Sequence, residues 1–146
     1  MSDPSPRLGN LGVPVGCVLL LAGFFLPWLS FGALSGMEIA ADREKAAMAI
    51  AVARPAHVSS AMGLRLLLFV PILALVTLMI EMTVPPGHPE RLLARLGVLL
   101  AGGTLTLFFL YVGIVYAPYL AAGFWGSCMG AMFILVGGVF DAARRE

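Results

Sequence analysis

The chain has 146 residues, 60% of them hydrophobic and only 12% charged, with a net charge of +1 and a mean hydropathy of +0.98. A soluble domain of this length carries about 25% charge, and a small domain has too much surface to hide the deficit in its core. The composition points to the lipid bilayer as solvent, and the near-neutral charge excludes an electrostatic case for nucleic acid.

Residues 1–11 carry Pro, Ser and Gly and read as a short tail. From Gly12 to about Phe31 the chain is apolar and uncharged. At roughly 20 residues and 1.5 Å per residue this run matches a hydrocarbon core of about 30 Å, and the first span is predicted over 12–31. Arg7 and Ser30-Phe-Gly32 give it the outline of a signal peptide. A retained helix is the expectation. Cys17 lies near the start of the run rather than after it, which argues against a lipoprotein.

Ser35-Gly-Met-Glu38 has the form of a capping box, in which the Ser hydroxyl meets the Glu38 amide and the Glu carboxylate reaches back to Ser35. A helix over 36–54 follows, rich in Ala, Met, Glu and Lys, and Pro55 should end it. Its charges gather early, at Glu38, Asp42, Arg43, Glu44 and Lys45. The apolar remainder is too short to span. The segment is predicted as an interfacial helix in the first outer loop, against the membrane surface or the mouth of the bundle. The plainer reading is an ordinary connector.

The second span is predicted over 64–84, with Arg65 snorkelling at its start and Pro71 kinking it. It has no glycine and should face lipid in part. Pro85-Pro-Gly-His-Pro89 makes a turn, the third span covers 92–116, Tyr116-Ala-Pro-Tyr119 makes a shorter turn, and the fourth span covers 119–140. The predicted fold is all-α: one integral membrane domain over 1–146, with four transmembrane helices in an up-down-up-down bundle plus the interfacial helix.

Four spans place both termini on one side. With the termini in the cytoplasm, the inner side of the cell membrane holds Arg7, Arg91, Arg95, Arg144 and Arg145, against Arg43, Lys45, Arg54 and Arg65 outside, and the positive-inside rule favours this orientation. Trp28, Tyr111, Tyr116, Tyr119 and Trp125 all fall in the outer half.

Gly12, Gly16 and Gly23 in the first span and Gly126, Gly130 and Gly137 in the fourth share one spacing, which aligns each set on a helix face. Small residues let membrane helices approach closely. The two faces are predicted to meet, antiparallel, within one chain. The rival is a glycine face left for self-association or a partner subunit.

Little in the sequence carries chemistry. Glu81 and Arg95 are the ionisable groups within the spans, each near an inner helix end where hydration or a structural ion pair suffices. His57 and His88 fall on opposite sides of the membrane and cannot share a metal. Cys17 and Cys128 differ in predicted depth by roughly 10 Å at 1.5 Å per residue. A disulfide needs Cα atoms within about 7 Å, so they read as two buried thiols. No catalytic, cofactor or metal motif stands out, and no enzyme activity is expected. Thr77, Thr104, Thr106 and Ser127 are expected to bond their own helix backbones rather than line a pore. Trp28, Tyr111 and Trp125 mark a candidate outer-face pocket for a lipid-like or quinone-like molecule.

Leu26-Pro-Trp-Leu-Ser30 followed by Ser35-Gly-x-Glu-x-Ala40 resembles a pattern in small bacterial four-helix membrane proteins of unknown function. The resemblance covers about 15 residues and the overall layout, and it implies a bacterial inner-membrane setting and an outward exit for the Pro-Trp pair. The layout also looks like that of claudin-type proteins, but their Trp and paired-Cys signature is missing from the first outer loop. The function expected is a structural or accessory membrane protein, self-associating or part of a larger complex. The alternative is binding or transport of a lipid-like or quinone-like molecule at the outer leaflet.

Overall fold

The computed structural model describes residues 8–30, 34–42, 44–45, 47–48, 51, 67–83 and 90–143. Among them the regular structure is helical: α1 (Leu8–Phe25), α2 (Gly36–Ala41), α3 (Phe69–Thr83), α4 (Glu90–Tyr116) and α5 (Ala122–Ala143), with a 3-10 turn at Ala117–Tyr119. No strand forms among these residues, only two isolated bridges, Pro27 with Ser35 and Leu29 with Leu120.

Proline chemistry sets the end of α1. The residue before a proline is pushed out of the helical region, so Pro27 stops the helix at Phe25, short of the predicted boundary at 31. Leu26 to Ser30 then run as a strap along the end of the bundle. Pro14 lies inside α1, where it removes one helical donor. α3 is described from Phe69, after a 3-10 stretch at 67–68, so Pro71 lies in its first turn, where a missing amide costs least. Residues 64–66 and the turn at 85–89 fall outside the described residues.

The single helix predicted over 36–54 is divided. α2 ends at Ala41, and Asp42 is extended, with φ −111° and ψ 106°. Its carboxylate accepts from the amides of Glu44 at 3.0 Å and Lys45 at 3.3 Å, which is N-cap geometry for the helical residues that follow. Asp prefers that capping role to a helix interior. Residues 52–55 lie outside the description. α4 agrees with the predicted third span, whereas α5 starts three residues after 119, because Tyr119 to Ala121 pair with the strap instead.

α1 and α5, the first and last helices, share the largest interface; α5 also packs on α4, α1 on α3, and α3 meets α4 only lightly. Val13, Cys17, Leu20 and Phe24 line the buried stripe of α1 at alternating spacings of four and three, the spacing of one helix face. Leu92–Tyr119 and Ala122–Phe140 are long and apolar enough to cross a membrane. Leu11–Phe25 and Phe69–Thr83 form shorter apolar helices.

Candidate functional site

The seam between α1 and α5 is built from the absence of side chains. A Cβ on Gly16 would stand 2.7 Å from the Gly130 carbonyl oxygen, one on Gly130 2.5 Å from the Leu20 nitrogen, and one on Gly23 2.5 Å from the Ser127 nitrogen. One on Gly137 would stand 2.9 Å from the Val13 nitrogen. Numbers rise on one helix as they fall on the other, so the helices are antiparallel and the glycine faces meet within the chain. Gly12 and Gly126 are looser: their nearest neighbours would lie at 3.1 Å and 3.8 Å. Ser127, fully buried, donates to the Leu20 carbonyl at 3.3 Å, across the seam rather than to its own helix. Gly102, not singled out from its spacing, gives α4 the same close approach to Leu135 of α5.

At one end of this seam the strap completes three helix termini. Helix ends leave backbone groups without partners, and those groups need satisfaction away from water. The indole N–H of Trp28 and the amide of Leu26 both donate to the Gly23 carbonyl near the end of α1, at 3.0 and 3.2 Å. The carbonyls of Trp28 and Pro27 accept from the amides of Ala121 and Gly123 at 2.7 and 3.0 Å, at the start of α5. On its other edge the strap donates its Trp28 amide to the Leu34 carbonyl at 2.7 Å, just before α2. Ser30 fixes the far end, with amide and hydroxyl both donating to the Tyr119 carbonyl.

Trp28 is the hub of this end. It is 3% exposed, and its ring meets Phe24, Phe109 and Phe124 edge-on at centroid distances of 5.4, 5.6 and 5.4 Å. Tyr111 and Trp125 are 68% and 45% exposed. The three residues of the candidate outer-face pocket are therefore divided: the Trp28 ring fills the space between the helices, and the other two face outward.

α2 lies over this cluster, burying Gly36, Ile39 and Ala40. Ser35 and Glu38 form the capping box. The Glu38 amide donates to the Ser35 hydroxyl at 3.2 Å, and the Ser35 amide donates to the Glu38 carboxylate at 3.0 Å. These bonds, the backbone one foremost, hold the Glu38 carboxyl below its ordinary range, and Lys45 at 3.8 Å adds to the effect. Gly36 is required by packing, since a Cβ there would stand 2.6 Å from the Trp28 ring. Gly123 is required likewise, with Pro27 oxygen 2.5 Å from such a Cβ. Both positions escaped the spacing argument, which weighed only glycines recurring within one span. Their signal is local: each glycine sits in the first turn of a helix, where its backbone freedom has no use.

No family model, curated protein or solved structure matches the chain.

Among the described residues no group of three or more His, Cys, Asp or Glu comes together. Cys17 and Cys128 are buried free thiols. Glu81 and Arg95 are half-buried, each with an interaction partner. His57 and His88 lie outside the described residues.

Proposed function

We propose that the chain is a small integral membrane protein of structural or accessory type: a four-span up-down-up-down bundle with both termini cytoplasmic, in a bacterial inner membrane. It serves as a minor subunit of a larger complex or associates with itself. The observation that carries this reading is the apolar exterior. Leu93, Leu100, Leu107 and Ile114 of α4 are each at least 70% exposed, and α3 also exposes Ile72, Leu75, Val76 and Met79. A surface of this kind has no use for water, and lipid or another membrane helix satisfies it. The glycine faces are already occupied within the chain, so association uses the aliphatic surfaces of α3 and α4. No catalytic role and no cofactor belong to the proposal.

Binding or transport of a lipid-like or quinone-like molecule ranks second. Burial of Trp28 within the Phe24, Phe109 and Phe124 cluster weighs against a pocket built from Trp28, Tyr111 and Trp125.

A native mass spectrum from mild detergent tests both. A complex with defined subunits supports the accessory reading, and a monomer with one retained lipid-like mass supports the second. A bare monomer counts against both. Labelling of single cysteines placed near each terminus, in intact and opened cells, tests the orientation.

A further inference from the structure

We propose that the strap Leu26 to Ser30 is a conformational coupler, making the seating of α2 on Trp28 and the hydrogen bonding of the first turn of α5 a single event. The coupling is a property of the fold and is independent of what the bundle associates with.

Trp28 has both of its backbone polar groups engaged, in opposite directions. Its amide donates to Leu34 at the entrance of α2, and its carbonyl accepts from Ala121 at the entrance of α5. The Pro27 carbonyl, which accepts from Gly123, and the Trp28 amide, which donates to Leu34, belong to one peptide unit, so these two bonds polarise each other and removing one weakens the other. The side chain follows the same layout. The ring supports Gly36 of α2 on one side and touches Phe124 of α5 on another. Both contacts leave little play, because a methyl group at Gly36 would overlap the Trp28 ring and one at Gly123 would overlap the Pro27 carbonyl. A displacement of α2 therefore moves Trp28, and a displaced Trp28 withdraws the carbonyls that hold Ala121 and Gly123.

Coupling between two places is reciprocal, and this supplies the test. The full chain is placed in lipid nanodiscs, and amide exchange is followed residue by residue in Gly36→Ala, Gly123→Ala and the double variant. Gly36→Ala is expected to speed exchange at Ala121 and Gly123 by about ten-fold or more, and Gly123→Ala to do the same at Trp28 and Glu38, with amides around Gly130 unaffected. The double variant is expected to add little to either single one, since one broken link releases both ends. Local effects confined to the mutated side, or additive effects in the double variant, overturn the proposal. Should either glycine variant fail to fold, Ser35→Ala and Ser30→Ala loosen the same two ends while keeping the packing. The cross-effects at Ala121 and at Glu38 then decide in the same way.

Discussion

The Ser127 hydroxyl on α5 donates to the Leu20 carbonyl on α1, while the Thr106 hydroxyl, also buried, has no hydrogen-bond partner among the described residues. Two hydroxyls in one bundle are thus opposite in energetic sign. Ser127→Ala removes an interhelical bond worth about 0.5–1.5 kcal/mol. Thr106→Val keeps the shape and deletes a buried group that carries a desolvation penalty, so a gain of about 1 kcal/mol is expected. Unfolding in mixed micelles, monitored by helical circular dichroism, should move in opposite directions for the two variants.

Gly130 and Gly126 lie on the same helix at the same kind of spacing, and only one of them is indispensable. Gly130→Ala puts a methyl group against the Leu20 backbone, which cannot rotate away, and should destabilise by about 1–3 kcal/mol. Gly126→Ala meets only the Gly23 Cα at 3.8 Å and gains helix propensity, so no loss is expected. Gly130→Leu should abolish the folded monomer altogether. Size-exclusion elution in detergent, with the unfolding midpoints, distinguishes these outcomes.

Trp28→Ala removes the ring that α1, α2, α4 and α5 all touch, and a loss of about 3–5 kcal/mol is expected. Trp28→Phe retains an aromatic ring but leaves the Gly23 carbonyl with the Leu26 amide as its remaining donor, for a loss of about 1 kcal/mol. Trp125→Phe, at an exposed position, should change stability little. With only two tryptophans in the chain, each single-Trp variant also reports its own burial. Acrylamide should quench Trp125 emission well and Trp28 emission poorly.

Acid should loosen α2 before it loosens the bundle. The carboxyl of Glu38 is depressed by the Ser35 amide and hydroxyl, so folding of α2 favours its charged form. That contribution is fully present above the ordinary glutamate value and disappears as pH falls through the lowered one. The Ser35 amide resonance should titrate at that lowered pKa. Glu38→Gln keeps an acceptor for the capping box and should erase the titration without unwinding α2. An unchanged Ser35 titration in that variant would show that another group is responsible.

Much of the helical layout was legible because hydrophobic runs and proline breaks are local signals. α4 contains the run predicted over 92–116 and begins two residues before it, and the Ser35–Glu38 cap forms as its four-residue motif implies. The glycine spacing pointed to the α1–α5 seam, because a helix face is a periodic property. What eluded the sequence depends on contacts between distant segments. Nothing near Trp28 states that its ring will be buried by Phe109 and Phe124, so a tryptophan at a span end read as part of an outer-face pocket. Asp42 looked like one more charge on a helix, yet its short carboxylate divides that helix by capping the next turn.

The strap and the seam also impose an order on biosynthesis. Ser30 and Tyr119 are 89 residues apart, and Leu20 and Ser127 are 107 apart. α1 leaves the ribosome first, yet its glycine face and the carbonyls of Pro27 and Trp28 acquire their partners only when α5 has been made. Contacts across such separations form late, because the intervening chain must be brought together before they contribute. Among the described helices, α1 is thus made before the others and completed after them, and a chain truncated after α4 would leave its glycine face without its partner.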